Sequence, residues 1–321
     1  MTVNENLIVC STPLHMLIAE KIINLYPNDL FDLLVVTDTL NKKYEFYIDR
    51  LANRCRNLVV FKMDSSSTFN YIKNFLDFKK RLKEIKLDYA KYFVVNITSR
   101  YVQYLISIKG GSGDLYTFDD GLANIYKYGS MHNEGKPSFV NNIIWNILGV
   151  KKYSKDIKKE IKLHYTIFDG IPNIIENVKY VSLLEDCGGN VSGGGEVRRI
   201  FLGQPLTDIS VKNNNSFLFN ILSNLKIDYY FRHPREKIEQ ENLRTSLIET
   251  NLIFEDYIVD VLKKEDNVLF EIYTFSSSAA VNVASLGRIK VFFIYSPIVH
   301  ENAPFLYQEI EKMGFNIIYD I

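Results

Sequence analysis

Short apolar runs recur along this chain at intervals that leave room for one helix between each pair. That alternation constrains the fold more than any other feature. Residues 7–10, 33–37, 58–62, 92–96 and 114–118 are rich in β-branched or aromatic side chains and too short for a buried helix, so they read as strands. Between them, apolar residues fall at helical spacing: Leu14, Leu17, Ile18, Ile22 and Leu25 after a Thr12-Pro13 cap, then Ile72, Phe75, Leu76 and Leu82 within 69–85. Such alternation gives βαβ units and a largely parallel sheet. The pattern restarts at Arg199-Ile-Phe-Leu-Gly203 and continues through strands at 229–231, 251–255, 268–275, 291–295 and 316–319. Gly188-Gly189 and Gly193-Gly194-Gly195 separate the two series, and 321 residues suit two α/β domains, expected at 1–190 and 197–321.

Acidic and basic residues balance at 38 each, which disfavours nucleic-acid binding because no net field recruits a polyanion. Cys10, Cys55 and Cys187 show neither a disulfide framework nor metal-ligand spacing and read as inert buried thiols in a reducing cytoplasm. The polar start and the short apolar run after it do not make a signal peptide, and no stretch is long enough to span a bilayer. Any membrane contact is expected to be peripheral. Residues 149–163 carry Lys151, Lys152, Lys155, Lys158, Lys159 and Lys162, with Ile157 and Ile161 four apart. This segment reads as a basic helix, either a solvated face or a surface for anionic lipid.

The chemistry-bearing residues cluster at strand ends, where ligands bind in open α/β sheets. Asp228-Tyr-Tyr-Phe-Arg-His-Pro-Arg235 places an imidazole between two guanidinium groups just where Pro234 stops a strand. Asp119-Asp120-Gly121 follows the strand at 114–118 and has three readings. It is a tight turn with a helix cap, a carboxylate pair with one raised pKa suited to a general base, or a weak magnesium site. Ser276-Ser277-Ser278 follows the strand at 268–275 and opens a helix, an arrangement that binds anions through hydroxyls and free N–H groups. Glu255-Asp256 is placed at the end of the expected strand at 251–255, and Gln204 to Asp208 form the loop after Gly203.

The chain resembles the bacterial lipooligosaccharide sialyltransferases of glycosyltransferase family 52. The resemblance rests on Thr117-Phe-Asp-Asp-Gly121, His164-Tyr-Thr-Ile-Phe168, Arg199-Ile-Phe-Leu-Gly203, His233-Pro-Arg235, Glu255-Asp-Tyr257 and Glu271-Ile-Tyr-Thr-Phe275 with its serines, in the family's order and over nearly the whole chain. It implies a GT-B fold, two Rossmann-like domains facing each other across a cleft, the first on the acceptor side and the second binding CMP. It implies inverting transfer of sialic acid from CMP-sialic acid to a terminal sugar, galactose with α2,3 linkage, of a lipooligosaccharide or related glycan. His233 is then the general acid at the departing phosphate, which Ser276, Ser277 and Ser278 hold. Glu255 takes the ribose hydroxyls, and Gly203 and Gln204 lie toward the cytosine. Asp120, Arg232, Pro234 and Arg235 complete the substrate-binding set. Asp119 is the first choice for the base and Asp208 its rival. One phosphate neutralised this way needs no metal or other cofactor. The resemblance places the enzyme in the cytoplasm, peripheral to the inner membrane, and leaves homodimer formation open. The competing readings are another CMP-nonulosonic acid as donor, a nucleoside-diphosphate sugar with Arg232 or Arg235 on its second phosphate, and a non-catalytic glycan-binding protein.

Overall fold

The computed structural model describes residues 3–64, 68–111, 113–135, 138–184, 195–204, 215–234, 236 and 245–319. The chain divides into two units, Met1–Leu183 and Leu184–Ile321. Glycines 188, 189, 193 and 194 of the expected linker, and Cys187, lie outside the described residues.

In unit 1, strands β1 (Glu5–Cys10), β2 (Leu30–Thr37), β3 (Asn57–Lys62), β4 (Lys91–Val94), β5 (Asp114–Phe118), β6 (Ile161–Thr166) and β7 (Val178–Tyr180) form one parallel sheet in the order β3-β2-β1-β4-β5-β6-β7. Helices α1 (Pro13–Asn24), α2 (Lys42–Ala52), α3 (Thr68–Arg81), α4 (Arg100–Ile108), α5 (Phe139–Ile147) and α6 (Ser154–Glu160) connect the strands. The central strand β1 buries Leu7, Ile8, Val9 and Cys10, as expected of a strand covered on both faces. α1 starts where the sequence indicates: Thr12 Oγ1 accepts the His15 N–H at 3.3 Å and Pro13 opens the helix. Burial pushes the Cys10 thiol well up and the Cys55 thiol up to about 12, so neither ionises readily.

Unit 2 repeats the plan with β8 (Glu196–Leu202), β9 (Tyr229–Phe231), β10 (Ser246–Leu247), β11 (Val268–Thr274), β12 (Ile289–Ile294) and β13 (Asn316–Ile318), parallel in the order β10-β9-β8-β11-β12-β13. Its helices are α7 (Asn215–Asn224), α8 (Phe254–Lys264), α9 (Ser278–Val283), α10 (Pro297–Asn302) and α11 (Leu306–Lys312). One apolar core packs Phe201, Tyr230, Phe270, Ile272 and Phe293 of the sheet against Leu218, Ile258 and Ile310 of the helices.

Two expectations about local structure fail. The segment 149–163 is not one helix, because α6 ends at Glu160 and residues 161–163 belong to β6, which pairs with β5. Residues 251–255 are not a strand; Phe254 and Glu255 open α8, whose first turn gathers Glu255 and Asp256 near the positive helix end. Helix α5 is an element for which the sequence analysis sets no expectation, although Phe139, Val140, Ile143, Ile144 and Ile147 fall on one helical stripe. Among the described residues no helix is long and apolar enough to cross a membrane.

Candidate active site

The strand order of unit 2 reverses between β8 and β11, the kind of switch point at which open α/β sheets place their ligands. Gly203 and Gln204 follow β8, and Phe275 and the serines follow β11. Gln204 ties the two loops together. Its Oε1 accepts the Ser276 N–H at 2.9 Å and its Nε2 donates to Ser276 Oγ at 2.9 Å. Thr274 Oγ1 accepts the Ser277 N–H at 3.2 Å; Ser277 stands at the N-terminal flank of α9 without a side-chain capping bond, and Ser278 is the helix's first residue. All three serines are half-buried. The three serines stand where the sequence places them, between β11 and α9, and the Gln204 amide is committed to Ser276 and not turned outward as a base reader.

At the end of β9, Arg232, His233 and Pro234 leave the sheet half-buried. The backbone of His233 is held at both ends by Glu236: its N–H donates to Glu236 Oε2 at 3.2 Å and its carbonyl accepts the Glu236 N–H at 3.0 Å. Glu236 Oε1 accepts the Tyr230 hydroxyl at 2.5 Å. Burial pushes the Glu236 carboxyl up to about 7, against the opposing pull of Tyr230, the His233 N–H and the Arg232 charge. Gly203 touches this pair so closely that a Cβ there would lie 2.3 Å from Glu236 Oε2 and 2.4 Å from the Tyr230 hydroxyl oxygen. Its glycine identity answers close approach. Sequence reasoning passed over Glu236; its one signal is an acid three residues after His233. The Arg232 Nε is buried without a hydrogen-bond partner among the described residues. Arg235 and Asp208 lie outside the described residues.

Glu255, expected at a strand end, sits in the first turn of α8, where it is buried and its Oε1 accepts the Asn282 Nδ2–H at 2.8 Å. That bond links the first turn of α8 to α9, the helix that the serines open.

In unit 1 the strand order reverses between β1 and β4, and two carboxylates follow β5. They have opposite environments. Asp119 is fully buried: Oδ1 accepts from His164 Nε2 at 2.8 Å and Asn173 Nδ2 at 2.9 Å, while Oδ2 accepts from Thr166 Oγ1 at 2.8 Å and the Ile167 N–H at 2.6 Å. Register supplies two of these partners, since β5 and β6 pair Thr117 with His164. Thr117 Oγ1 is 2.8 Å from His164 Nδ1, so a hydroxyl donating there leaves the ring proton on Nε2, aimed at Asp119. With its oxygens so occupied, Asp119 is not placed to take a proton from a substrate, contrary to the sequence expectation for it.

Asp120 faces the other way. Its side chain is 24% exposed, and Oδ1 lies 2.7 Å from His15 Nε2. The buried His15 ring accepts the Ser11 and Thr12 N–H groups at Nδ1, at 3.1 and 3.2 Å, which fixes its proton on Nε2 and makes it the donor to Asp120. Burial pushes the Asp120 carboxyl up, but His15 outweighs that and holds it below the usual carboxylate range. Gly121, at φ +60°, lets the chain turn at once into a short 3-10 helix, and Asn124 Oδ1 accepts the Asp120 N–H at 2.6 Å. Asp120 is thus an ionised carboxylate, oriented by the His15 Nε2–H and open to solvent on one side.

Known proteins resemble this chain in sequence and in fold. The family model for glycosyltransferase family 52 matches residues 30–296. An N-acetyllactosaminide alpha-2,3-sialyltransferase of Haemophilus influenzae is 33% identical over 98% of this chain and 100% of the relative. A CMP-N-acetylneuraminate:beta-galactoside alpha-2,3-sialyltransferase of Pasteurella multocida is 33% identical over 98% of each. Among solved structures, a UDP-GlcNAc 2-epimerase from Neisseria meningitidis superposes with a TM-score of 0.54 at 11% identity, covering 98% of this chain and 95% of that one. The spinosyn rhamnosyltransferase SpnG superposes with a TM-score of 0.51 at 8% identity, covering 97% and 85%. At such identities these two show the fold alone, a pair of Rossmann-like units with parallel sheets. The sequence matches show more: the chain belongs to glycosyltransferase family 52.

Proposed function

We propose that this chain is an inverting sialyltransferase that moves sialic acid from CMP-sialic acid to a terminal galactose, in α2,3 linkage, on a lipooligosaccharide or related glycan. The observation that carries the reading is the construction around His233. Glu236 clamps its backbone, Gly203 packs on the clamp, and the next residue, Gln204, holds Ser276. An acid and a phosphate cradle thus share one support at the carboxyl edge of unit 2, and relatives aligned end to end are named for this transfer.

In this reading unit 2 takes the nucleotide. The bond from the anomeric carbon to the phosphate oxygen breaks, and charge grows on CMP. His233, as imidazolium, donates its proton to that oxygen, while the half-buried serines hydrogen-bond the phosphate. Glu255, steadied by Asn282, accepts the ribose hydroxyls. Unit 1 takes the acceptor, whose hydroxyl attacks the anomeric carbon from the opposite face after a carboxylate removes its proton. Asp120 is the base in this proposal, because it is the carboxylate of the Asp-Asp pair that reaches solvent; Asp208 is the alternative. The enzyme works in the cytoplasm on a glycan carried at a membrane surface.

The test offers purified chain CMP-sialic acid, another CMP-nonulosonic acid or a UDP-sugar, with N-acetyllactosamine as acceptor. Release of CMP together with an α2,3-sialylated product, and a loss of about 100-fold or more in His233→Ala, is the expected result. Turnover with a UDP-sugar and none with CMP-sialic acid would overturn the proposal.

A further inference from the structure

Three strand ends of unit 1 offer polar groups that the protein leaves unused. Ser11, the first residue after β1, donates its N–H to His15 Nδ1, but its hydroxyl makes no hydrogen bond among the described residues. Asn96 follows β4 in a left-handed turn, φ +46°, a conformation that asparagine tolerates better than most residues. Its Oδ1 accepts the Thr98 hydroxyl at 2.7 Å, which fixes the amide and leaves Nδ2, with two hydrogens, unpartnered among the described residues. Asp120 commits Oδ1 to His15, and its Oδ2 has no such partner. All three residues are half-buried. They are also neighbours, because β4 lies between β1 and β5 in the sheet. Carried past its last pairs, the register of Ile8 with Phe93 and of Val94 with Thr117 sets Asn96 level with Ser11 and Asp119. The His15 ring takes the Ser11 N–H at one nitrogen and meets Asp120 with the other, so it spans the end of β4. Ser11 and Asp120 thus leave strands two spacings, about 10 Å, apart, with Asn96 between them. The strand order reverses at this same point, between β1 and β4.

We propose that Ser11, Asn96 and Asp120 form the seat of the acceptor's terminal sugar, a hexose read by its neighbouring hydroxyls. The inference rests on the reading that unit 1 takes the acceptor. Chemistry selects the ligand. A sugar hydroxyl both donates and accepts, and the seat presents an acceptor in Asp120, a donor in the Asn96 amide and a Ser11 hydroxyl that serves either way. An anion would be repelled by the ionised Asp120, and an apolar ligand would cover all three groups without satisfying any. The attacked hydroxyl donates to Asp120 Oδ2. The hydroxyl next to it on the ring accepts from Asn96 Nδ2, and one further along meets Ser11 Oγ. Asp120 holds its hydroxyl in this way whether it or another carboxylate takes the proton. Asn96 then determines specificity, because a site built to hydrogen-bond a hydroxyl rejects the analogue that lacks it.

The experiment measures transfer from CMP-sialic acid to N-acetyllactosamine, and to its analogues deoxygenated on either side of the attacked galactose hydroxyl. Wild type is compared with Ser11→Ala and with Asn96→Gly, in which glycine keeps the left-handed backbone. Each variant should raise the KM for N-acetyllactosamine by roughly 3- to 10-fold, the worth of one neutral hydrogen bond, with the donor KM as internal standard. Wild type should reject one of the two analogues by a similar factor, and Asn96→Gly should no longer tell that analogue from the parent sugar. This ratio does not depend on how much of a variant folds. A wild-type acceptor KM in both variants, or undiminished discrimination in Asn96→Gly, would overturn the seat. Saturation-transfer NMR of the full chain with N-acetyllactosamine and CMP reads binding without turnover, and its signal should weaken in both variants. No signal in wild type would also overturn the seat. Binding by wild type that weakens in the variants, without transfer of sialic acid, would uphold the seat and refute the proposed reaction.

Discussion

Replacing Asp119 by Asn separates a buried organiser from a working base. The carboxylate accepts from His164, Asn173, Thr166 and the Ile167 N–H, with no exposure to water. An amide supplies one acceptor oxygen and two donor hydrogens. With the oxygen facing Thr166 and Ile167, the NH₂ group meets His164 and Asn173. His164 can adjust by moving its proton to Nδ1, where the Thr117 hydroxyl can accept it. Asn173 cannot turn freely, because its own Oδ1 accepts the Ile174 N–H at 2.7 Å. One donor is therefore stranded, at a cost of about 1–3 kcal/mol, and the remaining bonds lose their ionic strength, so the total is roughly 2–4 kcal/mol. In a unit of this size that lowers the melting temperature by roughly 5–15 °C. Asp120→Asn keeps an oxygen for the His15 donor and should cost less than ~1 kcal/mol, yet lower turnover by about 100-fold or more if Asp120 is the base. Urea denaturation and CMP release would be measured on both variants. The reasoning fails if Asp119→Asn is as stable as wild type while losing turnover, or if Asp120→Asn turns over normally; the latter result would direct the search to Asp208.

Glu236→Gln should flatten the pH dependence of stability. The Glu236 pKa rises from 4.5 to about 7 on folding, so the folded state binds the extra proton and stability declines as pH climbs from about 4.5 to 7, by roughly 3 kcal/mol in all. Urea midpoints across that range would show the slope, and an unchanged slope in the variant would contradict it. Gly203→Ala forces a methyl into Tyr230 and Glu236, and Tyr230 is fixed by stacking on Phe201, centroids 5.7 Å apart; about 1–3 kcal/mol of stability should be lost, together with turnover. Wild-type values for both would mean the clamp is slack. Glu255→Ala should raise the KM for the CMP donor far more than it lowers kcat, and a pure kcat loss would remove Glu255 from the ribose.

Much of the fold was legible because strand and helix signals are local. Val9, Val35 and Phe93 sit in short apolar runs that the sequence displays directly, and the structure pairs those runs into parallel sheets. The short strand β7 and the start of α8 were harder, because a three-residue edge and a helix opening at the end of a short apolar run carry little local signal. The relatives bear out the family read from six motifs in order.

The sequence by itself determined that two α/β units would carry polar residues at the carboxyl ends of their strands, since composition and period set where strands stop. Tertiary structure alone decided which carboxylate turns inward. Asp119 and Asp120 are chemically identical neighbours, and they differ because β6 brings His164, Thr166 and the Ile167 N–H to one while α1 brings His15 to the other. It also decided the raised Glu236 pKa and the neighbourhood of Ser11, Asn96 and Asp120. Each depends on which distant groups pack against a residue, and burial and electrostatics act through space, where separation along the chain says little.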